Sequence, residues 1–272
     1  MVRRRVNTML SGRPDMDGYG RLAEILLERG IDVPIPQSLS LGCGFGALER
    51  DLADRELIMA CEGLDISDGA IAEAGRLAQE GGYHSLSYRV VDLESETLQS
   101  GHYDVVFAHQ SVHHVERLEN LFDKVADALK PNGLFHLNEF VGPTRFQWTD
   151  DQLALVNEFL DSLPEALRRT PRERKGMVVR PTLEAMIQAD PSESVRSAEI
   201  MSVLRDRFRI IEERPYGGTL LHIGLGEIAQ NFNEDDPEHR AHLERLFAME
   251  DEMMQMGRIG SDYLVVVAEP RG

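Results

Sequence analysis

Ser40-Leu41-Gly42-Cys43-Gly44-Phe45-Gly46 follows an apolar strand-like run, Ile35 to Leu41, and precedes a helix-like one, Ala47 to Asp54. Glycines at such a junction let the chain turn sharply and let a ligand approach backbone that a side chain would cover. The helix start offers N–H groups with no intrahelical partner, which suit a carboxylate or another anion. Alone the loop decides little. A tight turn with no ligand uses the same residues, and Gly42, Gly44 and Ala47 also satisfy the G-x-G-x-x-A form of dinucleotide-binding loops. The rhythm on either side is what decides.

Upstream, Leu22 to Arg29 reads as a helix ended by Gly30. Downstream, Ala60 to Leu64 makes a second strand ending at Asp65; Ser67 caps the next helix and Gly81-Gly82 ends it. Leu86 to Val91 is a third strand, ending at Asp92, and Tyr103 to Ala108 a fourth with the continuous apolar character of a buried parallel strand. Leu118, Leu121, Phe122, Val125, Ala128 and Leu129 form one helical stripe. Pro131-Asn132-Gly133 stops it and turns the chain into a fifth strand, Leu134 to Phe140. Strands and helices in alternation predict an α/β fold, a parallel sheet with helices on both faces.

After Phe140 the rhythm changes. Thr149 and Gln152 form a capping box, and Pro164, Pro171, Pro181 and Pro191 break the chain beyond it into short pieces. Residues 146–206 are expected to be an inserted helical cap for the acceptor, carried by a domain made of residues 1–145 and 207–272. Within it, Ile200, Val203 and Leu204 suggest a helix ahead of a strand from Phe208 to Glu213. An acidic helix, Pro237 to Met256, and a last strand, Tyr263 to Ala268, close the chain. Met1 to Gly12, with Arg3, Arg4 and Arg5 but no apolar core after them, reads as a loose leader and not as a secretory signal.

Composition narrows the function. The 272 residues are 42% hydrophobic and 28% charged, ordinary for a soluble globular protein. No apolar run approaches the roughly 20 residues of a membrane span. Two cysteines, Cys43 and Cys61, suggest no disulfide framework and a reducing cytoplasm. With 47 acidic against 29 basic residues the net charge is −18, which disfavours a nucleic-acid substrate. The local exception is Arg168, Arg169, Arg172, Arg174, Lys175 and Arg180. It would serve the phosphates of an anionic acceptor or, the reading favoured here, a solvated loop.

Asp65 ends the second strand about 20 residues beyond the glycine loop, where a carboxylate can accept both hydroxyls of a ribose. Asp92 stands at the end of the third strand, where an acid can accept an adenine amino group. All three features lie on one edge of the sheet, the edge where open α/β folds bind ligands. Leu39 to Gly46, Gly63-Leu64-Asp65-Ile66-Ser67, Val91-Asp92-Leu93, Tyr103 to Ala108 and Leu129-Lys130-Pro131-Asn132-Gly133-Leu134 resemble, in order and spacing, the successive motifs of class I S-adenosylmethionine-dependent methyltransferases. The resemblance covers residues 35 to 140. It implies a Rossmann-like sheet with a late pair of hairpin-like strands, and S-adenosyl-L-methionine as cofactor. It further implies Gly42, Cys43, Gly44 and Gly46 around the methionine part, Asp65 with Ile66 at the ribose, Asp92 with Leu93 at the adenine, and His109 beside the sulfonium. A looser resemblance, carried by Asn138 to Trp148, is to a bacterial small-molecule branch often encoded with polysaccharide or specialised-metabolite genes.

Methyl transfer is an in-line displacement on an activated donor, so positioning supplies much of the rate. An oxygen acceptor also gains from a base, typically about 10²–10⁴-fold. His109-Gln110-Ser111-Val112-His113-His114 places three imidazoles just beyond the fourth strand. The base is expected to be His114 or His113, with His114 ahead because the branch usually has a histidine there; both could instead pack at the next helix start. Glu139, ending the fifth strand, could orient a histidine or hold the acceptor. Arg145 and Trp148 would clamp and stack an acceptor, or seal the cap against the sheet. Tyr19 would close over the cofactor. No metal is expected, because adjacent histidines cannot share one helix face as an i, i+4 zinc pair does. The expected partner is a small-molecule acceptor, with no nucleic acid, no membrane, and a homodimer left open. Two other readings stand beside methyl transfer: an NAD(P)-dependent oxidoreductase and a catalytically silent methyltransferase-like binding subunit.

Overall fold

Strand residues alternate between two buried faces, and that alternation sets the layers. The computed structural model describes residues 1–271. Two helices, α1 (Val2–Ser11) and α2 (Gly18–Glu28), lead into β1 (Ser38–Leu41), α3 (Ala47–Asp54), β2 (Cys61–Asp65), α4 (Asp68–Gly81), β3 (Leu86–Val90), β4 (Tyr103–His109), α5 (Leu118–Ala128) and β5 (Leu129–Phe140). After these come α6 (Asp150–Ser162), α7 (Leu183–Ala189), α8 (Ile200–Arg207), β6 (Phe208–Gly217), α9 (Leu221–Leu225), α10 (Pro237–Gln255) and β7 (Tyr263–Pro270). Among the described residues no helix is long and apolar enough to cross a membrane.

The seven strands form one sheet in the order β3-β2-β1-β4-β5-β7-β6. The first five pair in parallel, while β7 runs antiparallel between β5 and β6. A dinucleotide-binding sheet ends 4-5-6 with no such intercalated strand. The sheet therefore weighs against the oxidoreductase reading, which the glycine loop alone left open. On β4, Val106 and Ala108 join Leu39 and Leu41 of β1 in a core under α5 and α8. Val105 and Phe107 face the other way, into a core with Leu22, Ile25 and Leu26 of α2 and Leu52 of α3. Burial on both faces is why these strands carry so few charges.

A third core lies outside the sheet. Val156, Phe159 and Leu160 of α6 pack with Leu221 and Ile223 of α9 and Leu243 and Leu246 of α10. The helical stretch after β5 is thus braced by helices that come after β6. Met1 and Val2 pack against the same core, so the amino-terminal stretch is a helix and not a loose leader. Its anchor is polar: Arg5 donates to both carboxylate oxygens of Asp251 and to Glu250. A search for an apolar run misses such a segment because its contacts come from α10, far along the chain.

Candidate active site

The glycine loop is held from below. At Gly42, φ is +65°, and a Cβ there would lie 2.4 Å from the Cβ of Ser111. Glycine is required on both counts, because the loop and the segment after β4 approach too closely for a side chain. Ser111 ties them, its hydroxyl donating to the Leu41 carbonyl at 2.7 Å. Gly46, which starts α3 at φ +70°, packs against Tyr88 so closely that a Cβ would stand 2.5 Å from its hydroxyl. Asp65 receives the Gly44 N–H at 2.8 Å and the Ser67 N–H at 2.9 Å, one on each carboxylate oxygen. Each oxygen keeps a second lone pair for a ligand.

Beside this loop opens a cavity of about 480 Å³ lined by Gly42, Gly44, Asp65, Ile66, Asp92, Leu93 and, at its far end, Ser111 and His114. It sits where β1, β2 and β3 end and before α5 begins. Ile66 is 71% exposed beside it, an apolar side chain left without a protein partner. A Cβ built on Gly44 would meet nothing within 4 Å, so the cavity continues up to the loop backbone. Asp92 is exposed and ties down its own turn, accepting from the Glu94 N–H and the Ser95 hydroxyl. An adenosine with an amino-acid tail fits these residues: open backbone, two strand-end acids and apolar walls.

The histidines divide into distinct environments. Val112–His114 form a single 3-10 turn, on which the His113 and His114 rings stand 4.3 Å apart. His113 is buried, and its Nδ1 is hydrogen-bonded to the fully buried Glu139. Glu139 also accepts backbone N–H groups of Ser111 (2.9 Å), Val112 (2.7 Å) and Phe140 (2.7 Å). Burial opposes a charge on His113, but the Glu139 hydrogen bond, with the nearby charges of Glu139, Glu193 and Asp190, raises its pKa above the ordinary value. His114 lines the cavity instead. Its Nδ1 lies 3.1 Å from the Ser192 hydroxyl, which donates to Asp190 at 2.7 Å. A hydroxyl has one proton, so Ser192 can only accept from His114; Nδ1 carries the hydrogen and Nε2 keeps a lone pair.

The loop carrying Asp190, Ser192 and Glu193 had no signal in the spacing of the sequence. It is held over the histidines by Arg145, which donates to the carbonyls of Asp190 (3.4 Å) and Glu193 (3.1 Å), and by the Val195 N–H on the His113 carbonyl (3.1 Å). The Arg145 guanidinium is therefore taken up by the loop, and Arg145 is absent from the cavity wall. Trp148 stacks on Phe146 with centroids 5.6 Å apart and lies across from His222, also away from the cavity. Tyr19 and His109 form a separate pair at the end of β4, hydroxyl to Nδ1 at 2.5 Å. Burial raises the Tyr19 pKa, so the phenol keeps its proton and donates it to the ring. Cys43 turns away from the cavity: a Cβ on Gly63 of β2 would lie 2.9 Å from its sulfur.

The basic cluster is not a free surface either. Arg168 is buried and donates to the Lys175 carbonyl at 3.0 Å; Lys175 donates to the carbonyls of Ile223 (2.7 Å) and Gly226 (2.6 Å). Arg180 donates to the Trp148 carbonyl at 2.7 Å and pairs with Asp150. These three side chains brace the helices around α6 and α9, which neither reading of the cluster anticipated. Arg169, Arg172 and Arg174 remain exposed, apart from the cavity.

Strand order and site together define the class I methyltransferase architecture. Residues 39–135, the part of the chain that carries the first five strands from β1 into β5, match the family model described as a methyltransferase domain. It is 28% identical to phosphoethanolamine N-methyltransferase 2 of Caenorhabditis elegans, over 43% of this chain and 26% of that protein. It is 26% identical to malonyl-[acyl-carrier protein] O-methyltransferase of Legionella pneumophila, over 53% of this chain and 55% of that one. The chain thus spans only part of these curated relatives. An S-adenosylmethionine dependent methyltransferase from Mesorhizobium loti shares the fold, with a TM-score of 0.51 at 20% identity, over 92% of this chain and 98% of the other.

Proposed function

We propose that the chain transfers a methyl group from S-adenosylmethionine to a small-molecule acceptor, through an oxygen nucleophile of a sugar or specialised metabolite. The cavity running from the glycine loop to His114 carries this reading, because it joins a cofactor-shaped space to a side chain able to take a proton. When bound, the cofactor supplies a methyl group already activated on a sulfonium. The chain's own work is to hold and to deprotonate. Gly42 and Gly44 leave backbone open to the amino-acid part, with Cys43 and Gly46 shaping the loop from behind. Asp65 and Ile66 hold the ribose, Asp92 and Leu93 the adenine, and His109 with Tyr19 borders the sulfur side.

His114 acts as the base through Nε2, with Ser192 and Asp190 holding its other nitrogen. Glu139 and His113 fix the turn that aims it. Arg145 and Trp148 serve the acceptor indirectly, by fixing the loop and the cap, drawn over residues 146–206 of a domain otherwise built from 1–145 and 207–272. The two curated relatives are named for nitrogen and for oxygen methylation. Oxygen is preferred here because a hydroxyl needs the base that His114 provides, whereas a neutral amine does not.

Calorimetry of the full chain with S-adenosylmethionine, S-adenosylhomocysteine and NADH tests the cofactor. Micromolar binding of the sulfur nucleotides, none of NADH, and at least a roughly tenfold loss in Asp65→Ala are expected; equal affinity in Asp65→Ala overturns the site. In an acceptor screen, His114→Ala should lower turnover by about 10²–10⁴-fold while leaving cofactor affinity in place. Cofactor binding with no turnover on any acceptor would favour the silent binding subunit.

A further inference from the structure

Adjacent histidines on a regular helix point apart, which is why the sequence predicts no metal. Here they stand on a single short turn, Val112–His114, and their rings tilt back to within 4.3 Å of one another. One ring nitrogen of His113, one of His114 and a carboxylate oxygen of Glu193 all lie within 4.8 Å of one another. Ligands bound at about 2.0–2.2 Å around a single ion stand roughly 3–4 Å apart, so a shift of side chains alone closes the set. His113 Nε2 is already 3.6 Å from Glu193.

The surroundings are built as metal sites are built. A ligating histidine usually spends its other nitrogen on a carboxylate or a similar acceptor, which fixes ring and tautomer. His113 does this with Glu139, and His114 does it with Ser192, itself held by Asp190. Glu193 comes from a loop that Arg145 ties over the turn, so all the donors arrive on anchored backbone. Two imidazoles and one carboxylate suit zinc, iron, cobalt or manganese; magnesium and calcium prefer oxygen throughout.

From this juxtaposition we infer that His113, His114 and Glu193 form a binding site for one divalent transition-metal ion. Three protein ligands leave coordination positions open. Of the three ligands His114 alone lines the cavity, so an anionic oxygen of the acceptor would reach the ion from the His114 side. An ion there occupies the nitrogen that the metal-free chain offers as a base. The inference does not depend on methyl transfer and stands or falls separately.

The test is titration of Zn²⁺ and Co²⁺ into the chelator-treated full chain, followed by calorimetry and by the visible absorption of bound Co²⁺. One ion per chain at micromolar affinity or better is expected, undisturbed by millimolar Mg²⁺. Glu193→Gln and His114→Asn should each weaken binding by roughly 10–100-fold, the size of effect that even outer partners of such sites produce. Both variants keep Cys43 and Cys61, so ion capture by thiols would persist in them. Zn²⁺ should also raise the melting temperature of the parent chain and not that of Glu193→Gln, which checks folding in the same measurement. Absence of stoichiometric binding, or equal affinity in parent and both variants, overturns the site. Cofactor affinity, measured separately, reports on the methyltransferase reading alone.

Discussion

Glu139 and Glu49 are both fully buried, yet they live in opposite circumstances. Glu139, on β5, gathers three backbone N–H groups and His113. Glu49, in the first turn of α3, has no hydrogen-bond partner for either oxygen among the described residues. Burial pushes its carboxyl up from the ordinary value, and the approach of Ser40 and the charge of Arg50 offset only part of that. The histidines repeat the contrast. His113 is held, whereas His136, earlier on the strand that carries Glu139, has neither nitrogen partnered and is pushed down to about 3, chiefly by burial. A buried polar group that is paired fixes geometry, and one left unpaired costs stability. At the turn beyond β4 the polar groups are paired and geometry is fixed. Beneath the glycine loop and α2 the chain carries a cost.

Three substitutions break or sharpen that contrast. The largest effect is expected for Glu139→Ala, which strands His113 and three N–H groups; removing one partner of a buried pair costs roughly 3–5 kcal/mol. Urea unfolding measures it, and a loss under about 1 kcal/mol would erase the distinction between the two glutamates. Next is His136→Phe. The folded-state pKa of His136 lies below its ordinary 6.5, so the unfolded chain takes up the proton first as pH falls. Its stabilisation is complete above pH 6.5 and is lost on the way down toward pH 3, about 1.4 kcal/mol per pH unit. Near pH 5 the phenylalanine variant should therefore unfold later than the parent, by roughly 2 kcal/mol relative to their difference at pH 8. Parallel stability profiles from pH 8 to 5 would refute this.

The smallest effect is expected for Glu49→Gln. Because the folded carboxyl titrates above 4.5, its cost is absent below that pH, accumulates as pH rises from there to the folded value, and is complete beyond it. The amide should raise the melting temperature at pH 7, by about 2–4 °C for each kcal/mol relieved, and leave it unchanged at pH 4. A lower melting temperature at pH 7 would mean that Glu49 is partnered in solution.

Much of the fold was legible before the structure. The stripe on α5, the cap of Ser67 on α4 and the Thr149–Gln152 capping box appear where local chemistry places them. Six of the expected cofactor-site residues, Gly42, Gly44, Asp65, Ile66, Asp92 and Leu93, do line one cavity, since each sits at or just beyond the end of a strand. His113 against His114 was not legible. Neighbours in sequence differ only by how their turn is wound, and that depends on Glu139 gripping the N–H groups of Ser111 and Val112. Glu193 was invisible for another reason. It reaches the turn from a loop some 80 positions later, through Arg145.

Local chemistry alone determined the alternation of strands and helices from β1 to β5, the glycine turn and the acids at the strand ends. Periodicity, caps and glycine conformation act over a few residues and need no knowledge of distant ones. The partners of each buried charge were decided only by the tertiary structure. Arg5 finds α10, Lys175 finds the carbonyls around α9, Glu139 finds His113, and Glu49 finds no hydrogen-bond partner among the described residues. Such pairings depend on which side chains the closed fold brings within hydrogen-bond reach, and a residue's own surroundings in sequence carry no record of that.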